Sequence, residues 1–170
     1  MSELTDFRQE KDAFFRSDAQ APLDAEQRKS FNGLKYYPEN AGLRFNLELE
    51  KAAKPEPVVM ATSTGDQQDY FHVGQVRFKA GGQEAVLQVY VSASGGDYFI
   101  PFVDATAPAE TYGAGRYLEP EDLGGGKLHV DFNRAYNPYC AYNDLWSCPL
   151  PPRENRLAVR IEAGEKKFHA

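Results

Sequence analysis

The chain has 170 residues, enough for one domain with a full core, and nothing in its composition divides it in two. Its 25 acidic and 19 basic residues leave a formal charge of -6, and Lys and Arg never cluster into the concentrated positive charge that tracking a phosphate backbone requires. The N-terminal MSELTDFRQEKDAFF is charged throughout, unlike a secretory signal, and no apolar stretch is long enough to span a bilayer. The expectation is a soluble, cytoplasmic domain with neither nucleic acid nor membrane as partner.

Residues 1–35 read as helical. Leu4, Phe7, Phe14 and Phe15 recur at roughly helical spacing among charged residues. Asp24 and Gln27 then have the spacing of a capping box ahead of a second short helix, which Asn32-Gly33 would end after Phe31. From Tyr36 the period changes to two. Leu43, Phe45, Leu47 and Leu49 alternate with Arg44, Asn46, Glu48 and Glu50, placing one row against a core and the other in water. KAAKPEP breaks this strand and PVVMATS resumes it. Residues 70–79 and 84–92 flank Ala80-Gly81-Gly82-Gln83, whose glycines supply the positive φ angles of a tight hairpin.

Ser94-Gly95-Gly96-Asp97 is the next turn, and the following YFIPFVD contains Pro101, which lacks a ladder donor and places that strand at an edge or a bulge. DATAPAETYGAGRYL reads as an irregular loop or a bulged short strand. Gly124-Gly125-Gly126 introduces KLHVDFN, and Leu157, Val159 and Ile161 form a last strand. Long crossover helices are absent, so the strands pair antiparallel. The fold class is mainly β (α+β): a meander of seven or eight strands forming a barrel or sandwich, with one or two N-terminal helices packed on it. A single domain covers 1–170, helical over 1–35 and β over 36–170.

Both cysteines and the only tryptophan fall in NPYCAYNDLWSCPLPPREN. The spacing of Cys140 and Cys148 is not that of a zinc ribbon, and the three histidines are scattered, so no metal is expected. Two buried reduced thiols, a disulfide and a reactive thiol all remain open. A nucleophilic Cys140 would need a base, and His129 or Asp131, which share one face of their strand, could supply it. Pro149, Pro151 and Pro152 stiffen the arm that follows, which either makes a rigid corner or holds Asn137, Asn143 and Glu154 over a cavity mouth. GAGRY lacks the full glycine fingerprint of a phosphate loop and a following helix, so no cofactor is expected.

The runs GAGRYL, DFNRAYNPYCAYN, CPLPPRENRL and IEAGEK, with DAT and GLKYYP earlier, resemble the bacterial and archaeal family named domain of unknown function 1684. The resemblance spans the whole domain and implies no reaction, substrate or cofactor. It does direct attention to polar types that a fold alone seldom requires. The leading expectation is a β-barrel-like domain that binds a small polar or anionic ligand, with Arg116 as anchor and Tyr117, Asp131, Asn133, Asp104, Asn137 and Glu154 around it. The alternatives are a hydrolase using Cys140 with His129 or Asp131, and an interaction protein without a pocket. Whether the chain forms an oligomer is left open.

Overall fold

The computed structural model of the protein describes residues 3–169. Helix α1 (Glu3–Ser17) and the short α2 (Ala25–Lys29) precede eight strands: β1 (Arg44–Glu48), β2 (Glu50–Ala61), β3 (Gln67–Ala80), β4 (Gln83–Ser92), β5 (Tyr98–Phe102), β6 (Arg116–Leu118), β7 (Glu121–Gly124) and β8 (Lys127–Asp131). All pairings are antiparallel, within two sheets of order β2-β3-β4-β5-β6 and β1-β8-β7. The fold class is therefore mainly β, and of the two expected architectures it is the sandwich. The sheets do not close into a barrel. One core joins them, with Val76, Leu87, Val89, Ile100 and Phe102 from the larger sheet meeting Leu128 and Val130 from the smaller, and Phe132 beside them. Among the described residues, no helix is long and apolar enough to cross a membrane.

The chain passes from the small sheet to the large one at a single residue and returns between β6 and β7. Leu49 separates β1 from β2, and its N–H donates to the Gly126 carbonyl at 2.8 Å, still within the small sheet's hairpin. Just beyond it, β2 lies so close to β3 that a Cβ on Gly74 would sit 2.5 Å from the Glu50 carbonyl oxygen. The β3–β4 hairpin turns on Gly81 and Gly82, at φ +59° and +77°, as the sequence predicts. The capping box at α2 also forms, with Gln27 N donating to Asp24 at 2.8 Å and Asp24 N to Gln27 at 2.9 Å. That helix stops at Lys29, short of the expected Phe31, whose ring instead packs on Phe15.

Four sequence expectations change. KAAKPEP does not break the strand: β2 runs through it as the edge of the large sheet, with a register shift between Lys51 and Glu56 that accommodates residues lacking ladder donors. Pro101 is not on an edge strand, because β5 lies between β4 and β6. The β4–β5 ladder pairs Tyr90 with Phe99 and Val91 with Tyr98, and beyond it the Asn155 side chain fills the gap. Its Oδ1 accepts from Gln88 N at 2.7 Å, and its Nδ2 donates to Gln88 O at 3.0 Å and Pro101 O at 2.8 Å. A side-chain amide thus replaces the peptide group that proline cannot offer. A strand absent from the sequence reading, β7, forms a hairpin with β8. Leu157, Val159 and Ile161 form no strand. They pack on the core from an extended arm held by Val103, whose N donates to Asn155 O and whose O accepts from Leu157 N.

Helix α1 buries Leu4 and Phe15. Phe15 meets Tyr142 edge-on at 4.9 Å. Polar contacts fix the helix in rotation: Asp12 accepts from Leu34 N at 3.1 Å and Tyr36 OH at 3.2 Å, while Lys11 pairs with the buried Glu165, which also accepts from Tyr142 OH.

Candidate functional site: an aromatic cleft beside a thiol pair

Arg116 is fully buried, and its guanidinium serves the chain itself. One terminal nitrogen donates to the carbonyls of Ala163 and Glu165, and the other to Ile161 O at 3.0 Å and Asp104 Oδ1 at 3.2 Å. Nε alone has no partner. Asp104 also accepts from Thr106 Oγ1 at 2.8 Å and Ile161 N at 2.7 Å. Arg116 and Asp104 therefore pin the C-terminal arm beneath β6, and Arg116 has no terminal donor left with which to anchor an anion. Glu154 is exposed beside the buried Asn155.

Asp131 and His129 line a charged groove of about 660 Å³ with Arg44, Arg134 and Glu119. Burial acts to raise the Asp131 pKa, but hydrogen bonds from Asn133 and Arg44 outweigh it and hold the carboxyl below its ordinary value. Asn133 turns away from the groove to clamp Asn40, accepting from its N at 2.8 Å and donating to its O at 2.9 Å. Asn137 is buried and donates to Lys166 O at 3.0 Å. Asp131 and Asn133 thus tie the end of β8 to Arg44 and Asn40, Asn137 holds the C-terminal arm, and the terminal donors of Arg116 are taken up by that arm and Asp104.

The Cys140, His129 and Asp131 set does not assemble. The His129 ring pairs with Asn46 on the neighbouring strand at 2.8 Å, whereas Cys140 lies among Cys148, Tyr112 and Ser63. Both thiols are buried and unlinked.

A different site comes together between α1 and the corner at residues 136–149. A cleft of about 710 Å³ is walled by Phe7 and Phe14 of α1 and by Tyr117, Tyr136 and Tyr139, with Cys148 and Pro149 at one side. Of the expected ligand residues, Tyr117 alone lines it. Its ring meets Tyr136 at 5.7 Å and Phe99 at 4.8 Å, edge to face, while its hydroxyl donates to Pro149 O. Pro138 and Pro149 fix the backbone on either side of the cysteines. Three charged groups stand at the rim: Glu119 accepts from Tyr136 OH, Lys11 reaches Glu165 with its ammonium 5.1 Å from the Tyr136 ring, and Glu10 is exposed. Burial, then the Glu119 carboxylate, push the Tyr136 phenol far up, so it stays protonated and donating. The sequence signal for this cleft was the density of tyrosines around NPYCAY together with the apolar face of α1. Nothing in the spacing said that the two would meet.

Fold and site define a small two-sheet sandwich whose N-terminal helix and proline-rich corner flank an open aromatic cleft. The chain belongs to the family described as "Protein of unknown function (DUF1684)", whose model matches residues 29–166. It is 37% identical to an uncharacterized protein from Haloarcula marismortui (gene locus rrnAC0354), whose solution NMR structure superposes with a TM-score of 0.73, covering 96% of this chain and 92% of that one. No curated protein matches. Helix α1, one wall of the cleft, precedes the segment that the family model matches.

Proposed function

We propose that the protein binds a small, planar, largely apolar molecule in the aromatic cleft. The observation that carries this reading is a cleft of about 710 Å³ walled by Phe7, Phe14, Tyr117, Tyr136 and Tyr139, a size and lining typical of small-molecule sites of roughly 300–1,000 Å³. Flat rings favour an edge-to-face or offset-stacked guest. Gln68 and Ser147 at the rim supply polar groups for one end of it. Lys11 is paired with Glu165, and the other charges at the rim, Glu10 and Glu119, are acidic and oppose an anion, so the ligand this cleft suits is neutral, in place of the anion that Arg116 was expected to hold.

Calorimetric titration of the full chain with 2-naphthol, and with naphthalene-2-sulfonate as its charged counterpart, tests this. The expected result is saturable binding of the neutral probe, weakened about tenfold in Tyr139→Ala, where one stacking wall worth about 1.4 kcal/mol is lost. Binding of the sulfonate alone, or affinity unchanged by Tyr139→Ala, would overturn the reading.

A further inference from the structure

We propose that Cys140 and Cys148 are an oxidisable dithiol site, which reacts with hydroperoxides and closes into an intrachain disulfide. The inference is independent of the ligand reading and rests on how the corner places the two sulfurs. Cys140 N donates to Cys148 Sγ at 3.3 Å, which sets the second sulfur against the backbone of the first. Cys148 is anchored in turn, its N donating to Ser63 Oγ at 3.1 Å and its O accepting from Ser63 N at 2.9 Å. The Tyr112 hydroxyl lies 3.6 Å from Cys140 Sγ. Cys148 opens onto the aromatic cleft, which gives a small oxidant a route to an otherwise buried pair.

The two thiols are not equivalent. A hydrogen bond from Cys148 brings the Cys140 thiol down to about 6 against the opposing effect of burial, and Tyr112 and Ser63 add to the lowering. Cys148 moves the other way because its proton is held by its neighbour's sulfur. The two shifts run in opposite directions, which favours Cys140 as the sulfur that attacks and Cys148 as the one that resolves. In the first step the Cys140 thiolate attacks the O–O bond of a hydroperoxide, forming S–OH and releasing an alkoxide that leaves as the alcohol after taking a proton. In the second, the Cys148 sulfur displaces the hydroxyl of the Cys140 sulfenic acid, and water leaves with the thiol proton. Two sulfurs lose two electrons in all, and the peroxide O–O bond gains them.

The test takes the reduced full chain, adds one equivalent of hydrogen peroxide, alkylates the remaining thiols and measures intact mass and peptide map. The expected product is lower by about two hydrogens, carries no alkyl groups and yields linked peptides containing Cys140 and Cys148. Cys148→Ser should stop at a Cys140 sulfenic acid that dimedone traps, and Cys140→Ser should leave Cys148 at least about tenfold slower to oxidise. Wild-type protein, which needs no variant to fold, provides a second readout: the rate of thiol loss should rise with pH about a midpoint near 6. Retention of both free thiols, or a disulfide that forms only when the chain is unfolded in urea, would overturn the proposal.

Discussion

Arg116 shows how much a single residue's meaning depends on what reaches it. The arginine of GAGRY, in a chain with Asp104 and Asp131 nearby, is chemically suited to an anion, and sequence offers no way to tell an external anion from the chain's own carbonyls. The arm at residues 161–165 decides it. Removing one member of a buried, hydrogen-bonded ion pair leaves the other charge uncompensated, so Asp104→Ala should destabilise the protein by about 3–5 kcal/mol, read from urea unfolding. A loss below about 1 kcal/mol for Asp104→Ala would mean that the pair does not hold the arm.

Asp131 makes a prediction in pH. Its folded pKa is depressed, so its contribution is complete above the unfolded carboxyl value of about 3.9 and disappears as pH falls through the lower folded value. Acid denaturation of Asp131→Asn should therefore show a shallower loss of stability below about pH 4 than the wild type. Identical acid limbs for the two proteins would count against the hydrogen bonds from Asn133 and Arg44 as its cause.

At the scale of elements, local signals carried well where the structure is local. The capping box at Asp24 and the Gly81-Gly82 turn each name an element whose hydrogen bonds close within a few residues or across one hairpin, and the alternation from Leu43 to Leu49 names β1, though not its distant partner β8. Signals failed where a distant segment intervened. Pro101 reads as an edge because its missing donor is visible in sequence, while the amide of Asn155 that fills the gap is 54 residues away. Leu157, Val159 and Ile161 alternate because they pack on a core, and alternation alone does not supply a ladder. The arm instead depends on close backbone contact at Gly164, where φ is +80° and a Cβ would lie 2.7 Å from the Phe132 carbonyl oxygen and 2.8 Å from that of Ala135. Gly164→Ala should lower stability by about 1–3 kcal/mol, with hydrogen exchange accelerating first at the Glu165 amide, which donates to Ala135 O. A neutral or stabilising effect would show that the arm can relax away from that contact.

Over the whole molecule, the fold class was legible because period-two patterning and frequent glycine turns dominate the chain, and the choice of sandwich over barrel was not. That choice depends on the switch at Leu49, which leaves no composition signal. The site was legible in part. Sequence pointed to the NPYCAYN corner, and that corner does form one wall of the cleft, but the opposite wall comes from α1, an element whose apolar face announces only that it docks somewhere. Of the polar residues singled out beside it, Asp104, Arg116, Asn133 and Asn137 fasten loops, His129 and Asp131 line the charged groove, and Glu154 is exposed. What the fold leaves exposed to a guest is aromatic, rimmed by Glu10, Lys11 and Glu119 and bordered by one of the two cysteines.

The binding claim is tested most directly by an amide NMR titration of the full-length protein with a set of neutral one- and two-ring aromatics, 2-naphthol among them. Binding in the cleft should give saturable shifts confined to α1, Tyr117 to Glu119 and residues 136–149. Shifts centred on the charged groove of His129 and Asp131, or no saturable shift with any member of the set, would contradict it.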